Sequence, residues 1–503
     1  MGTRTMKLRS FSALDSILVA AVLLTLIAGS LSLFDDPMSG PLQLALILVG
    51  CFGALIGIKN GLRWQELEDE IVRINAKTVA PIFIFLSIGI LIGAFILSGT
   101  VPTLLHMGLS LLSPAFFYPA ACLICAIVSL CIGSSWTTVA TMGVGLMGTA
   151  HGFGLSPEIT AGAVVAGAYF GDKMSPLSDT TNLAPAVAGA QLFDHIRHMA
   201  WVSVPSLLIA LTLFSVLALN TDVSDGSVSD VEHIKAELAA SFSVAWYNLI
   251  PMFALLAMSV RKVPAFPAII LSSALACVFA MLFQGAAIER FMAGSGLTGA
   301  MLVVKALWTV MATGFVSQTG HEVVDALFSR GGMASMVFMA FLVFCSMMMT
   351  AVLERIGFIR FVLGLIVRGV HSVGALIGAT LATSLGVNVL TGDQYLSLVL
   401  PGQMWKEEYR RRGLAAVNLS RTLEDAGTVT SALIPWNACG VYMAATLGVA
   451  TLSYLPFAFF NWINPLIALI FGIFCIRILP LEADPAERPE SLPGRDEALP
   501  GTA

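Results

Sequence analysis

Gly171-Asp172-Lys173-Met174-Ser175-Pro176-Leu177-Ser178-Asp179-Thr180-Thr181-Asn182 is a polar, ionisable segment between two apolar runs, each long enough to cross a membrane. A carboxylate near the bilayer centre costs roughly 2.5 to 3.5 kcal/mol, even on the lenient insertion scale. Two carboxylates beside several hydroxyl and amide side chains therefore indicate a site for an ion or a polar substrate. A weaker counterpart, Leu423 to Trp436, lies in the second half of the chain.

The composition of the chain is that of a membrane protein. Of its 503 residues, 57% are hydrophobic and only 11% are charged, whereas about 25% of the residues of a soluble domain are charged. Apolar windows of about 17 to 25 residues recur along the chain and predict roughly 11 or 12 spans. We therefore expect an all-α polytopic protein whose main partner is the lipid bilayer, with no nucleic-acid partner and no cofactor.

Charge patterning predicts the organisation of the chain across the membrane. An acidic segment at 220–240 separates a first membrane repeat with the N-terminal helices, 1–219, from a second repeat, 241–480. Basic loops such as Lys406 to Arg412 are expected in the cytoplasm together with the N-terminus, and the acidic linker outside it. The tail, 481–503, is too short and polar to fold, and we expect it to be disordered.

The two halves carry similar interruptions. Gly133 lies in a polar turn that precedes Asp172, and Gly392 lies in a polar turn that precedes Asp425. Aligning the two glycines, with a slightly shorter loop in the second half, places Asp172 on Asp425.

This pattern predicts two inverted repeats. Gly- and Pro-interrupted apolar segments at corresponding places in two halves are typical of transporters built from inverted repeats. Unwound backbone at membrane depth persists only where it is buried in protein or lines a cavity. We expect each half to contribute a re-entrant hairpin, at 133–151 and 386–404, and a broken helix, at 158–193 and 414–450. The alternative is that Gly and Pro merely kink ordinary spanning helices.

The interrupted segments contain the ligands that sodium prefers. Na⁺ is a hard cation, which hydroxyl, amide and carbonyl oxygens bind while a carboxylate balances its charge. We expect Na⁺ in the region of Asp172 and Asp179. The candidate ion-binding residues are Ser134, Ser135, Thr137, Asp172, Ser175, Ser178, Asp179, Thr180, Thr181 and Asn182 in the first half, and Asp393, Glu424, Asp425, Thr428, Ser431 and Asn437 in the second.

A buried carboxylate is also a site for a proton. Burial favours its neutral form, whereas a bound cation favours its charged form. One carboxylate can therefore hold either H⁺ or Na⁺. Mutually exclusive occupancy of a site that opens alternately to the two sides of the membrane amounts to exchange of the two ions.

Structural roles for the same carboxylates stay open. Asp172 or Asp179 could form a salt bridge with Lys173. The carboxylates of the second half stand three and four residues after Arg421 and could pair with it on one helix face. Asp393 could simply be a turn residue.

Other polar residues of the apolar windows have simpler interpretations. Lys173 and Lys305 are candidate counter-charges, although Lys305 could equally extend to the membrane surface. His195 and His198 flank Arg197, and we expect them at the membrane interface. His321-Glu322 is no zinc protease motif, because Asp325 stands where the second histidine is required. No nucleophile and base pattern stands in the apolar windows, so we expect no enzyme.

At these residues the sequence resembles the NhaC family of sodium/proton antiporters, within a wider superfamily of inverted-repeat ion transporters. The resemblance rests on Ser134 to Thr138, Gly171 to Pro185 and Asn418 to Gly440, and it covers most of 40–480. It implies a secondary antiporter of the bacterial inner membrane that exports Na⁺ against inward H⁺ movement and serves pH homeostasis.

The resemblance leaves a second function open. Similar proteins of this family exchange a dicarboxylate with protons for a monocarboxylate with sodium, as malate/lactate antiporters do. Such an exchanger would bind a small carboxylate and would need a cationic or helix N-terminal anchor for it. A passive channel is disfavoured, because a channel lines its pore with groups from several subunits. The sequence also leaves open whether two copies form a homodimer.

Overall fold

The computed structural model of the chain describes residues 12–34, 36–220, 226–317, 325, 328–367 and 370–481. Part of the predicted acidic linker, the His321-Glu322 pair and the predicted disordered tail beyond Leu481 lie outside the described residues. Within the described ranges the chain forms helices and connecting turns, without a β-strand.

The first half of the described chain contains helices α1 to α11. They are α1 (Ala13–Leu33), α2 (Pro41–Lys59), α3 (Trp64–Asn75), α4 (Val79–Leu97), α5 (Thr100–Leu111), α6 (Phe117–Ile132), α7 (Ser135–Thr138), α8 (Val144–Gly152), α9 (Pro157–Met174), α10 (Asp179–Ala188) and α11 (Leu192–Leu219). A π-helical segment, Val139–Gly143, joins α7 to α8.

The second half continues with α12 to α24. They are α12 (Gly226–Ser241), α13 (Ile250–Val260), α14 (Ala265–Phe283), α15 (Gly285–Phe291), α16 (Gly299–Ala312), α17 (Val337–Arg355), α18 (Phe358–Val367), α19 (Val373–Thr391), α20 (Gln394–Arg411), α21 (Ala416–Leu423), α22 (Ala438–Leu447), α23 (Thr451–Tyr454) and α24 (Phe459–Ile473). A second π-helical segment, Glu424–Thr428, follows α21 directly.

The all-α polytopic fold is confirmed. Among the described residues, 8 helices are long and apolar enough to cross a membrane, or up to 10 if each of two sharply bent helix pairs counts as one span. The predicted 11 or 12 spans are therefore too many. A hydropathy window counts apolar residues whether or not one helix runs through them, and it thus includes short helices such as α16 and α24.

Two segments of the chain repeat one order of elements. In the first, α6 ends at Gly133 and the last helix of the segment, α10, ends at Gly189; in the second, α19 ends at Gly392 and α22 ends at Gly448. These four glycines have φ angles of 76°, 88°, 62° and 73°, the left-handed region that glycine enters without strain. One offset of 259 residues relates both pairs of glycines.

This constant offset differs from the register predicted from the sequence. It places Ser431, not Asp425, at the position of Asp172, so no shortened loop intervenes. The helical path from 135 to 152 is as long as α20, which follows Gly392. The carboxylates of the two halves thus lie at different turns of corresponding helices. The inverted orientation of the two segments stays a prediction.

Both predicted helix breaks are present, but the first predicted hairpin is not. A four-residue break, 175–178, separates α9 from α10, and another, 434–437, precedes α22. The region predicted as a first hairpin, 133–151, is instead one helical path from α7 to α8, and the chain reverses before it at Gly133. The region 386–404 contains the corresponding turn between α19 and α20.

Small residues bring α9 against α6. Gly167 and Gly171 are four residues apart on one face of α9, an arrangement that lets two membrane helices approach closely. A Cβ atom at Gly171 would lie only 2.5 Å from the backbone nitrogen of Leu130 in α6. This contact fixes the position of Asp172, the next residue along the chain.

Irregular backbone also reaches the middle of α4. The backbone nitrogen of Gly332 donates to the carbonyl oxygen of Gly89 at 2.7 Å. Gly89 lies near the middle of α4, about 12 to 15 Å from either end at 1.5 Å per residue. Gly331 and Gly332 have φ angles of 87° and 80°, which this non-helical path requires. The sequence reasoning missed this irregular segment.

Candidate functional site

The break after α9 is held by side chains of α10. The hydroxyl of Thr181 donates to the carbonyl oxygens of Asp172 and Lys173 at 3.2 and 2.9 Å. The amide nitrogen of Asn182 donates to the carbonyl oxygens of Pro176 and Ser178 at 2.9 and 2.6 Å. These bonds satisfy carbonyl groups that the end of a helix leaves without partners. Two of the predicted site residues, Thr181 and Asn182, thus stabilise the unwound backbone.

Asp172 lies at the N-terminal end of α7. Its carboxylate accepts hydrogen bonds from the backbone nitrogen and the hydroxyl of Ser135 at 3.0 and 2.6 Å. Ser134 caps the same helix and accepts from the backbone nitrogen and hydroxyl of Thr137 at 3.2 and 3.1 Å. A helix N-terminus stabilises negative charge. The predicted first-half residues Ser134, Ser135, Thr137 and Asp172 are thus brought together.

A buried ion pair joins the two halves of the chain. The ammonium group of Lys173 contacts the carboxylate of Asp425, and both side chains are fully buried. The amide nitrogen of Asn464 donates to the same carboxylate at 3.0 Å. The guanidinium nitrogen Nε of Arg421 lies 3.5 Å from the other carboxylate oxygen. Lys173 therefore pairs with Asp425 rather than with a carboxylate of its own segment.

Glu424 is a fully buried carboxylate that forms no ion pair within the described residues. The hydroxyl of Thr428 is the side-chain donor that interacts with it. Glu424 interacts electrostatically with Lys173 and Asp172. It begins the π-helical segment Glu424–Thr428, and such segments often occur at functional sites. A buried charge without an ion-pair partner is costly, so this carboxyl group favours binding of a proton or a cation.

The buried charges do not balance. Asp425 contacts Lys173 and Arg421, and Glu424 interacts electrostatically with Lys173, Asp172 and Asp425. All five side chains are at most 8% exposed. We call these five residues the buried charge cluster. If all five are ionised, three negative charges oppose two positive ones. One monovalent cation would neutralise the cluster.

The two histidines of α11 lie beside this cluster. His195 and His198 are 0% and 5% exposed, so both face the protein interior, and their position at the membrane interface stays a prediction. Nδ1 of His195 lies 2.8 Å from the Ser420 hydroxyl, and Nε2 of His198 lies 3.3 Å from Nη1 of Arg421. A guanidinium group can only donate, so Nε2 of His198 accepts and its imidazole is neutral. The hydrophobic windows gave no signal that these histidines face inward.

Neutral polar side chains hold the second break. The amide nitrogen of Asn388 donates to the carbonyl oxygen of Gly427 at 2.6 Å and to the hydroxyl of Thr430 at 3.1 Å. Asn437 donates to the side-chain oxygen of Asn388 at 3.1 Å and caps α22 at the backbone nitrogen of Cys439. Asn437 is thus a structural element of the break.

The remaining predicted residues lie around these groups. Asp179 is exposed at the start of α10, and Asp393 caps α20 by accepting from the backbone nitrogen of Leu396 at 2.7 Å. Lys305 is exposed on α16, outside the buried charge cluster. The others are buried: Ser175, Ser178, which shares a 3.1 Å hydrogen bond with Thr180, and Ser431, which donates to the carbonyl oxygen of Thr428 at 2.7 Å.

Asn464 was missed by the sequence reasoning. It belongs to α24, near the end of the described chain, and donates to both the carboxylate and the carbonyl oxygen of Asp425. Asn461, one turn earlier, donates to the carbonyl oxygen of Val429 at 2.8 Å. Two amides three residues apart in an otherwise apolar helix were the available signal.

Comparisons with known proteins find relatives along most of the chain. Residues 167–476 match the Na⁺/H⁺ antiporter family, a range that contains the whole buried charge cluster. The chain is 39% identical over 464 residues to the Na⁺/H⁺ antiporter NhaC of Alkalihalophilus pseudofirmus, covering 92% of this chain and 96% of that protein. It is 36% identical over 435 residues to NhaC of Bacillus subtilis, covering 86% and 91%.

A third relative is named for the exchange of organic acids. The chain is 32% identical over 458 residues to the malate-2H⁺/Na⁺-lactate antiporter of Bacillus subtilis, covering 91% of this chain and 94% of that protein. All three relatives are antiporters, which are transporters and not enzymes. With a family match over more than half of its length and an NhaC antiporter 39% identical along most of it, this chain belongs to the Na⁺/H⁺ antiporter family.

Proposed function

We propose that this chain exchanges intracellular Na⁺ for external H⁺ by alternating access in the bacterial inner membrane, with its N-terminus in the cytoplasm. The observation that carries the proposal is the charge of the buried charge cluster, in which three carboxylates face two cations. One H⁺ or one Na⁺ neutralises it. Both ions at once would leave the cluster positively charged in a medium that disfavours charge.

The three carboxylates have different roles in this proposal. Asp425 stays ionised, because Lys173 and Asn464 both donate to it. Glu424 takes up the exchanged proton, since no cation of the described chain forms an ion pair with its carboxylate. Asp172, held by Ser135, contributes a carboxylate oxygen to the bound Na⁺. The site thus holds either H⁺ on Glu424 or Na⁺ beside the ionised Glu424 carboxylate, but not both.

The broken helices support alternating access. Each break leaves helix ends that depend on side chains from other elements, such as Thr181 at the first break and Asn388 at the second. Interrupted helices at the substrate site are how many carriers expose a site to either side without unfolding a whole span. The site in this proposal lies between the two breaks, where the ion pair of Lys173 and Asp425 links them.

Proton flux in proteoliposomes tests the proposal. Liposomes with an acidic interior are diluted into alkaline buffer, and NaCl is then added while an internal dye reports pH. We expect NaCl alone to alkalinise the interior through the wild-type protein. If NaCl causes no change in internal pH through the wild-type protein, Na⁺/H⁺ exchange is contradicted.

Substitution of Glu424 tests the assignment of the site. Glu424→Gln makes the cluster neutral without an exchangeable cation, and we expect it to abolish the Na⁺-dependent flux. Glu289→Gln is the matched control, since Glu289 is exposed on α15. Both variants are first checked for monodisperse elution in detergent. Full Na⁺-dependent flux through Glu424→Gln would refute its role as the exchanging carboxylate.

Exchange of organic acids is the second candidate function. It rests on the malate/lactate antiporter among the relatives. The cations predicted to anchor a carboxylate do not favour it, because Lys173 pairs with Asp425 and Lys305 is exposed. Malate or lactate added to the liposome assay would distinguish the two functions. An obligate organic-acid exchanger changes the internal pH only when these acids are present.

A further inference from the structure

The position of Asp172 depends on the first turn of α7. Its carboxylate accepts from the backbone nitrogen and the hydroxyl of Ser135, the first residue of that helix. α7 has only four residues before the helix changes to the π-helical form at Val139. The amide groups of a first turn have no acceptor within their own helix. Whatever holds this turn from outside therefore also determines where Asp172 lies.

Tyr442 holds the first turn of α7 from the second half of the chain. Its hydroxyl donates to the carbonyl oxygen of Trp136, the residue after Ser135, at 2.7 Å. The rings of Tyr442 and Trp136 also stack, with centroids 4.1 Å apart and an angle of 21° between their planes. Tyr442 thus contacts both the backbone and the side chain of Trp136, although 306 residues separate the two in the chain.

Phe85 and Cys439 complete the surroundings of Trp136. The ring of Phe85, on α4, is edge-on to the rings of Trp136 and Tyr442, at centroid distances of 5.8 and 5.7 Å. Edge-to-face pairs of this kind are favourable. The side chain of Cys439, one turn before Tyr442 on α22, interacts with the side chain of Trp136. We call Phe85, Trp136 and Tyr442 the aromatic cluster.

The hydroxyl of Tyr442 does more than fill space in the aromatic cluster. Tyr442 and Phe85 are each 1% exposed, and a phenylalanine would pack in the place of Tyr442 equally well. A buried hydroxyl without a partner is costly. This hydroxyl donates to the backbone of the turn that binds Asp172, and it also interacts with Thr446 on α22. Its hydrogen bond therefore fixes the backbone of α7 relative to α22.

We infer that Tyr442 is a positioning residue for the ion site. Its hydrogen bond to Trp136 fixes Ser135, and Ser135 orients the carboxylate of Asp172. Groups that bind a ligand must be held close to the geometry of the bound state. The inference rests on the proposed function, in which Asp172 contributes an oxygen to the bound Na⁺. Because α22 follows the second break, the second half of the chain positions an ion ligand of the first half.

Calorimetric titration of the purified full-length protein with NaCl tests this role. Tyr442→Phe keeps the stacked ring and removes only the hydroxyl. We expect it to raise the Kd for Na⁺ about fivefold, which corresponds to the loss of one hydrogen bond. In the liposome assay the Na⁺ concentration at half-maximal rate should rise by the same factor, whereas the maximal rate should stay unchanged. Partial misfolding would instead lower the maximal rate and leave the Kd unchanged.

Tyr118→Phe is the matched control. Tyr118 is 0% exposed, and its hydroxyl accepts from the backbone nitrogen of Ser156 at 3.1 Å. It lies near the start of α6, about 20 Å from the end of that helix at Ile132. This variant also removes a buried tyrosine hydroxyl that contacts backbone, and it should bind Na⁺ with the Kd of the wild-type protein. An equal rise of the Kd in both variants would overturn the inference.

Amide hydrogen exchange measured by mass spectrometry tests the positioning step without Na⁺. The amides of residues 135–138 should exchange with solvent faster in Tyr442→Phe than in the wild-type protein, because the turn loses a contact that restrains its opening. Tyr118→Phe should leave these amides unchanged. Equal amide exchange rates in Tyr442→Phe and the wild-type protein would overturn the inference.

The outcome is separable from that of the proposed function. If the wild-type protein binds Na⁺ and Tyr442→Phe binds it with the same Kd, the positioning role is overturned and the proposed Na⁺/H⁺ exchange is not affected. If the wild-type protein neither binds Na⁺ nor shows Na⁺-driven proton flux, the proposed function is contradicted, and the role of Tyr442 in Na⁺ binding is contradicted with it.

Discussion

The ion pair of Lys173 and Asp425 makes a prediction about stability that follows from burial alone. Removing one partner of a buried pair costs about 3 to 5 kcal/mol, because the other charge remains buried. Lys173→Met leaves Asp425 with the Asn464 amide at 3.0 Å and with Arg421 at 3.5 Å. We expect a cost near the lower limit, about 3 kcal/mol.

Substitution of the other partner, Asp425, should cost more. Asp425→Asn leaves the two buried cations Lys173 and Arg421 without this carboxylate, and we expect about 5 kcal/mol. In the double variant Lys173→Met with Asp425→Asn, only Arg421 loses its partner. The cost should therefore fall below the sum of the two single costs by about 2 to 3 kcal/mol, the upper part of the range of about 0.5 to 3 kcal/mol for side chains in contact.

Reversible unfolding by SDS in mixed micelles measures these free energies. Arg355→Met is the matched control, because Arg355 pairs with Glu66 at 3.1 Å while the two side chains are 37% and 38% exposed. An exposed pair contributes at most about 1 kcal/mol, so this control should change the free energy of unfolding little. Additive costs in the double variant, or a Lys173→Met cost no larger than that of the control, would refute the buried ion pair.

Three further predictions concern the site and its breaks. Ser135→Ala removes the 2.6 Å hydroxyl bond to Asp172 and should weaken Na⁺ binding about tenfold by calorimetry, whereas Ser110→Ala, at an exposed serine, should not. Gly133→Ala should reduce the free energy of unfolding by at least about 1 kcal/mol more than Gly154→Ala. Both glycines have positive φ angles, but only at Gly133 would the Cβ meet backbone, 2.7 Å away. Finally, the Kd for Na⁺ should rise about tenfold per unit of acidification once the site is protonated, and a pH-independent Kd would contradict competition.

Much of the fold could be predicted from the sequence because burial in lipid restricts the backbone so severely. Apolar windows allow only helices, and the polar residues after Gly171 required an interruption, which the structure places at 175–178. Hydroxyls near Gly133 were expected beside Asp172, and Ser135 contacts it. These inferences use neighbouring residues in the chain, where sequence spacing determines geometry.

Long-range pairing could not be predicted in the same way. Lys173 and Asp425 are 252 residues apart, and spacing says nothing about which carboxylate a lysine reaches. The predicted alignment matched Gly133 with Gly392 but shortened a loop to bring Asp172 onto Asp425, whereas the second pair of glycines that end helices, Gly189 and Gly448, keeps the same offset without a shortened loop.

Proton release on Na⁺ binding tests the central claim most directly. The purified protein is held in weakly buffered detergent solution at a pH where the buried charge cluster is protonated, and NaCl is added while a dye or electrode records pH. Since one monovalent cation neutralises the cluster, each bound Na⁺ should release close to one proton. The same addition to Glu424→Gln should release none. Saturable Na⁺ binding without proton release, or equal release from Glu424→Gln, would contradict the account.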